Sequence, residues 1–272
     1  RFPMYVSLLT NVLNALFSGL GIYVFRLGIV GVALGTVLAR LVGVLILWRE
    51  LDLSTIRWRW GLDRELLRLS LPAAGERLMM RAGDVVIIAI VVVFGTDAVA
   101  GNAIGEVLTQ FNYMPAFGVA TATVMLVAHA VGEGDMQAVG LIRQRAFWLS
   151  FACMLPLALG IYALGRPLTL LYTNNSGAIT ASLSVILFSL LGTPMAAGTV
   201  IYTAVWQGLG NARLPFYATT IGMWLIRIVS GYLLGVTFGL GLPGVWAGTL
   251  LDNGFRWLFL KVLFDRKMRN IA

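Results

Sequence analysis

Long apolar blocks separated by short polar seams dominate the chain. A membrane-spanning helix needs about 20 mostly apolar residues. That template finds eight candidates, at about 3–24, 30–48, 69–94, 98–130, 138–164, 178–206, 214–236 and 243–264. The fourth is too long for one straight span and contains Pro115, so a kink or an end extending into water is expected there. Between the second and third lies LDLSTIRWRWGLDRE, which reads as a linker with an amphipathic segment on the membrane surface. The division expected is 1–49 for the last two helices of one bundle, 50–68 for a cytoplasmic linker and 69–272 for a complete six-helix bundle.

A sequence echo connects the two ends. LGIVGVALGTVL, Leu27 to Leu38, returns 213 positions later as LGLPGVWAGTLL, Leu240 to Leu251, with seven of twelve positions identical. The two hairpins are then spans one–two and seven–eight. An offset of six helices gives both copies the same orientation, a parallel repeat of a six-helix unit. The expected fold is an all-α membrane protein of about eight transmembrane helices, the C-terminal part of a twelve-helix, two-bundle transporter with a cavity between the bundles. The plainer alternative is that LGxxGVxxGT records only close helix packing by small residues.

Composition agrees with the bilayer reading: 59% of residues are hydrophobic, 12% are charged and mean hydropathy is +0.87. The single Cys153 and single His129 supply neither a disulfide nor a histidine or cysteine metal cluster. The net charge of +8 suggests nucleic acid until its placement is read. Arg49, Arg57, Arg59, Arg64, Arg68, Arg143, Arg145, Arg213, Lys261, Arg266, Lys267 and Arg269 fall on one side of the eight-span arrangement, and only Arg26 and Arg166 on the other. The positive-inside rule makes the first side, with the C-terminus, cytoplasmic. No nucleic-acid partner is expected, and the protein is placed in the plasma membrane. No GxSxG, HExxH or GxxxxGK[ST] occurs, so an enzyme or ATP motor is not expected and an ion gradient must supply the energy for any transport.

Ionisable side chains in hydrocarbon demand a cavity, a partner or a route to the interface. Span three concentrates Glu76, Arg77, Arg81 and Asp84. Glu76, Met80 and Asp84 share a face, and Arg81 and Asp84 are three apart. Internal pairing with snorkelling is one reading of the arginines. Glu76 is the best coupling candidate, because a carboxylate that must be neutral or paired when its cavity dries can exchange a proton. Glu106 and Asp84 follow it. Asn102, Glu106, Gln110 and Tyr113 form a polar stripe on span four, facing protein or water. It is either an interhelical seam or, with Arg81 and Asn14, a surface for substrate. Arg227 and Asp252 could pair across the last hairpin.

LSLPAAGE, VVVFGTDAVAGNAIGE, MPAFGVATATVMLVAHAVGEGD, WQGLGNARLP and LGLPGVWAGTLL, in this order, resemble the multidrug and toxic compound extrusion transporters. The resemblance runs the length of the chain and corresponds to helices five to twelve of twelve. It implies an H⁺- or Na⁺-driven antiporter, embedded in the lipid bilayer, that exports cationic or amphipathic small molecules by alternating access, a monomer when full length, with no cofactor beyond the ion. Three familiar acidic positions of that family correspond here to Met80, Ala196 and Asn14. The PAAxE pattern, with Glu76 four residues after Pro72, does match. The alternative from a related superfamily is a flippase for a lipid-linked or polyprenyl-phosphate substrate, held by intramembrane arginines.

Overall fold

The computed structural model describes residues 2–50 and 64–269, and among these every regular element is helical. The chain forms two compact units, Arg1–Gly61 and Leu62–Ala272. The first contains α1 (Phe2–Gly19), prolonged by a π-helical turn at Leu20–Val24, and α2 (Gly28–Glu50). The second contains α3 (Arg64–Val92), α4 (Thr96–Gly132), α5 (Met136–Ala163), α6 (Gly165–Leu170), α7 (Ser176–Gly208), α8 (Arg213–Ile221), α9 (Ile228–Tyr232) and α10 (Leu242–Arg269). π-Helical turns at Gly222–Arg227 and Leu233–Thr237 join α8 and α9 into one continuous segment.

Among the described residues six helical segments are long and apolar enough to cross a membrane: Phe2–Val24, Gly28–Arg49, Thr96–Gly132, Met136–Ala163, Ser176–Gly208 and Arg213–Thr237. The other two expected spans are present as α3 and α10, of 29 and 28 residues. At 1.5 Å per residue each is about 40 Å long, enough for a hydrocarbon layer of about 30 Å. Their charged residues set them apart from the six. α4 is helical over all 37 residues with Pro115 inside. α3 starts at Arg64, inside the stretch assigned by sequence to the linker. Of the surface segment expected over 51–65, residues 51–63 lie outside the described residues. The short α6 was not anticipated. Within it Thr169 donates to the Gly165 carbonyl at 2.8 Å and lies 3.1 Å from the Ser182 hydroxyl.

α7 is the centre of the second unit and packs on α4, α5 and α10. One apolar cluster, with Val127, Val139, Ile201, Trp206, Leu260 and Phe264, fills the end of the unit where α4, α7 and α10 finish and α5 starts. A second, with Ile87, Val91, Val185, Val245 and Trp246, fills the opposite end. Lipid tails are as apolar as these side chains, so close packing rather than water exclusion holds the helices together. Small residues permit it. A Cβ on Gly105 would meet the Val185 side chain at 2.6 Å, and one on Gly208 would meet Val127 at 2.8 Å.

The sequence echo is also a structural one. In the first hairpin Phe25 N–H donates to the Leu20 carbonyl at 3.0 Å and Leu27 N–H to Gly21 at 2.9 Å. In the other, Phe238 donates to Leu233 at 2.8 Å and Leu240 to Leu234 at 3.1 Å, each 213 positions later. Arg26 and Gly28 have φ of 52° and 53°, and Gly239 and Gly241 have 71° and 63°. The conserved-spacing glycines also do the same work. A Cβ on Gly35 would sit 2.7 Å from the Ser18 nitrogen, and one on Gly248 would sit 2.8 Å from the Gly231 nitrogen. The recurring motif thus makes the same turn and the same close helix contact in both hairpins.

Candidate functional site

The polar interior of the second unit is built by α3, the α8–α9 segment and α10. Pro72 sits inside α3 and removes one backbone donor from its first turns. One turn later Glu76, partly buried, accepts a hydrogen bond from the Thr219 hydroxyl of α8 at 3.3 Å. Two turns further, Asp84 receives two arginines. Arg81 Nη1 lies 3.5 Å from Oδ2, and Arg227 Nη1 lies 3.5 Å from Oδ1. Arg81 is 84% exposed while Arg227 is only 12% exposed, so Arg227 is the partner that depends on Asp84.

Asp252 and Arg256, one turn apart on α10, make the deepest pair. Arg256 Nη2 donates to Asp252 Oδ2 at 2.6 Å, with the side chains 5% and 0% exposed. The same nitrogen lies 3.4 Å from Asn253 Oδ1. Both residues pack against Gly222, where a side chain would collide with them. Gly222 opens a π-helical turn, whose extra residue displaces the backbone locally. Asp252 Oδ1 and the Nε atoms of Arg227 and Arg256 are buried without a partner.

The pairing of Arg227 with Asp252 that the sequence allowed is not made. Arg227 goes to Asp84 on α3, a choice that only tertiary structure decides, and Asp252 takes its neighbour Arg256 at the helical spacing of four. Glu76, Asp84 and Arg81 do lie on one helix, and the structure links Glu76 to α8 and Asp84 to the turn after it. Thr219 is the member of this site that sequence reasoning missed. A threonine in an apolar span carries no distinguishing signal.

The stripe on α4 divides. Asn102 is buried and fully engaged: its amide donates to Glu106 Oε1 at 3.1 Å, and its carbonyl accepts from Trp246 Nε1 at 2.9 Å. Glu106 and Gln110 are exposed, and Tyr113 packs against the small cluster of Ala116, Met154, Ala196 and Ala197. Asn112, one position off the stripe, donates to Thr193 at 3.2 Å and leaves its own carbonyl buried and unpaired. Asn14 belongs to the first unit. Its carbonyl oxygen lies 3.1 Å from the Ser18 hydroxyl and 3.5 Å from that of Thr36, so it bridges α1 and α2. No group of three His, Cys, Asp or Glu side chains able to hold a metal ion occurs among the described residues.

Comparison with known proteins places this architecture. The MatE family model matches residues 72–233. A probable multidrug resistance protein NorM of Thermotoga maritima is 31% identical over 280 residues, covering 97% of this chain and 59% of that protein. The multidrug resistance protein MdtK of Photorhabdus laumondii is 28% identical over 198 residues, 71% of this chain and 43% of that one. A MOP superfamily transporter from Pyrococcus furiosus superposes with a TM-score of 0.87 at 21% identity, and MATE in the straight conformation with 0.85 at 22%. Both superpositions cover 98% of this chain and 62% of the other. The chain thus spans about three fifths of the length of these full-coverage matches. With its all-helical, multi-pass architecture and a family model matching more than half its length, this chain belongs to the MatE family of membrane transporters.

Proposed function

We propose that the complete protein is an ion-coupled antiporter that exports cationic or amphipathic small molecules by alternating access, and that Glu76 carries the coupling ion. The observation behind this assignment is the unequal treatment of the interior carboxylates. Asp84 has two arginines and Asp252 has one at 2.6 Å, whereas Glu76 is partly buried with a neutral hydroxyl at 3.3 Å and no ion pair within 4 Å among the described residues. A carboxylate clamped by arginine holds its charge through a transport cycle. One that has hydrogen-bonding neighbours but no ion pair can bind and release a cation as its surroundings open and dry. A single interior carboxylate is enough for H⁺, which needs one lone pair, whereas Na⁺ needs a shell of several oxygens. Glu106, Gln110 and Tyr113 on α4 supply the polar surface for substrate, with Glu106 as a second carboxylate for a cationic one.

The relatives carrying multidrug resistance names favour this reading over a lipid-linked-substrate flippase. The flippase reading asks the intramembrane arginines to hold a phosphate, but Arg227 and Arg256 are already committed to carboxylates. The plasma membrane location, the cytoplasmic C-terminus and a monomeric full-length protein belong to the same proposal. Efflux of a cationic dye from vesicles containing the complete protein tests it. Uphill export driven by an imposed pH gradient and abolished by a protonophore is expected. Export driven only by a Na⁺ gradient would transfer the coupling role to Na⁺, and gradient-independent movement would overturn antiport.

A further inference from the structure

A cavity of about 260 Å³ opens between α5 and α10, which both pack on α7. Tyr202 of α7 forms its floor, Arg143, Phe147 and Trp148 of α5 one wall, and Trp257 and Lys261 of α10 the other. None of these residues takes part in the carboxylate site described above.

Its chemistry is cationic and aromatic. Arg143 Nη1 donates to the Tyr202 hydroxyl at 2.7 Å and lies 3.6 Å from Asp265 Oδ1. Its guanidinium carbon stands 5.2 Å from the Phe264 ring centre. These contacts hold one edge of the guanidinium, yet its Nε is buried and without a partner. The indole Nε1 of Trp257 is likewise buried and unpaired. Lys261 Nζ lies 6.0 Å from the Trp257 ring centre and makes no ion pair among the described residues. Phe147 stacks on Trp257 at 5.6 Å and 13°, which stiffens both walls. Both of these atoms are closed off from the cavity, the Trp257 nitrogen facing Gly198 of α7, so the Lys261 ammonium is the donor that the cavity leaves free for an acceptor.

The position of the cavity narrows what that acceptor is. On one side α10 ends in Arg266, Lys267 and Arg269. On the other side both helices present exposed leucines, Leu157 on α5 and Leu251 on α10. Basic residues, an aromatic belt and apolar flanks follow one another as they do at a membrane interface. A ligand that fits has anionic oxygens at one end and hydrocarbon at the other. The nearby Asp265 carboxylate, shared with Arg143, favours a singly charged diester over a dianion. We propose that this cavity holds the headgroup phosphate of an anionic phospholipid, with its acyl chains along α5 and α10.

Lipid retention by the complete protein, purified and reconstituted in mixed phosphatidylglycerol and phosphatidylcholine, tests the proposal by native mass spectrometry. About a fivefold preference for phosphatidylglycerol attributable to Lys261 is expected. Lys261→Gln should abolish it without lowering the melting temperature in pure phosphatidylcholine, and Lys261→Arg should keep it. Millimolar inorganic phosphate should not displace the lipid. Equal retention of both lipids, an unchanged preference in Lys261→Gln, or displacement by phosphate alone would each overturn the assignment, the last by identifying a free-anion site.

Discussion

Arg227 Nη1 lies 3.5 Å from Asp84 Oδ1, so a charge on the α8–α9 segment is neutralised by one on α3. Asp84 keeps a second, exposed arginine, whereas Arg227 has no other acid within 4 Å among the described residues. Removing Asp84 therefore leaves Arg227 with an uncompensated charge in the interior. Asp84→Asn should destabilise the protein by about 1–3 kcal/mol, and Arg227→Gln added to it should recover part of that loss. Melting temperatures of the two single variants and the double variant check the sign. Simple additivity would show that the pair is not coupled.

The hairpin turn makes a prediction from its duplicated geometry. Arg26 adopts a φ of 52° where the equivalent residue of the other hairpin is Gly239, at 71°. A side chain in left-handed backbone costs about 1–2 kcal/mol. Arg26→Gly should therefore raise stability by about 1 kcal/mol and Gly239→Ala should lower it by a similar amount. Thermal unfolding of each variant in the same detergent measures both effects.

Asn102 separates a seam from a binding surface on α4. Its amide and carbonyl are both used, by Glu106 and by the Trp246 indole. Asn102→Ala would leave the Trp246 donor unsatisfied in a buried place, at a cost of about 1–3 kcal/mol. The expected result is a lower melting temperature with unchanged dye affinity per folded molecule. Gln110→Ala, at an exposed position, should show the reverse pattern, and binding measurements beside the melts distinguish the two.

The helices were legible in the sequence because apolar length is a one-dimensional signal. The eight expected spans correspond to eight helical segments with edges shifted by a few residues. α3 departs most, since its first residues are polar and read as linker. The Asp252–Arg256 pair was also within reach, being a spacing of four on one helix. The Glu76–Thr219 and Asp84–Arg227 contacts were not. Each joins α3 to a segment far along the chain, and periodicity carries no information about which face of a distant helix will arrive. The stripe on α4 shows the limit from the other side. Asn102, Glu106, Gln110 and Tyr113 share a helical spacing, yet Asn102 is buried in a seam while Glu106 and Gln110 are exposed.

Transport by Glu76→Gln in proteoliposomes of the complete protein bears most directly on the coupling assignment. Glutamine keeps the size and can still accept the Thr219 hydrogen bond, but it cannot take up a proton at transport pH. Substrate should still bind and equilibrate, while uphill export driven by an imposed pH gradient should fall by at least about tenfold, the equivalent of roughly 1.4 kcal/mol. Full gradient-driven export by Glu76→Gln, with proton counterflow intact, would contradict the assignment.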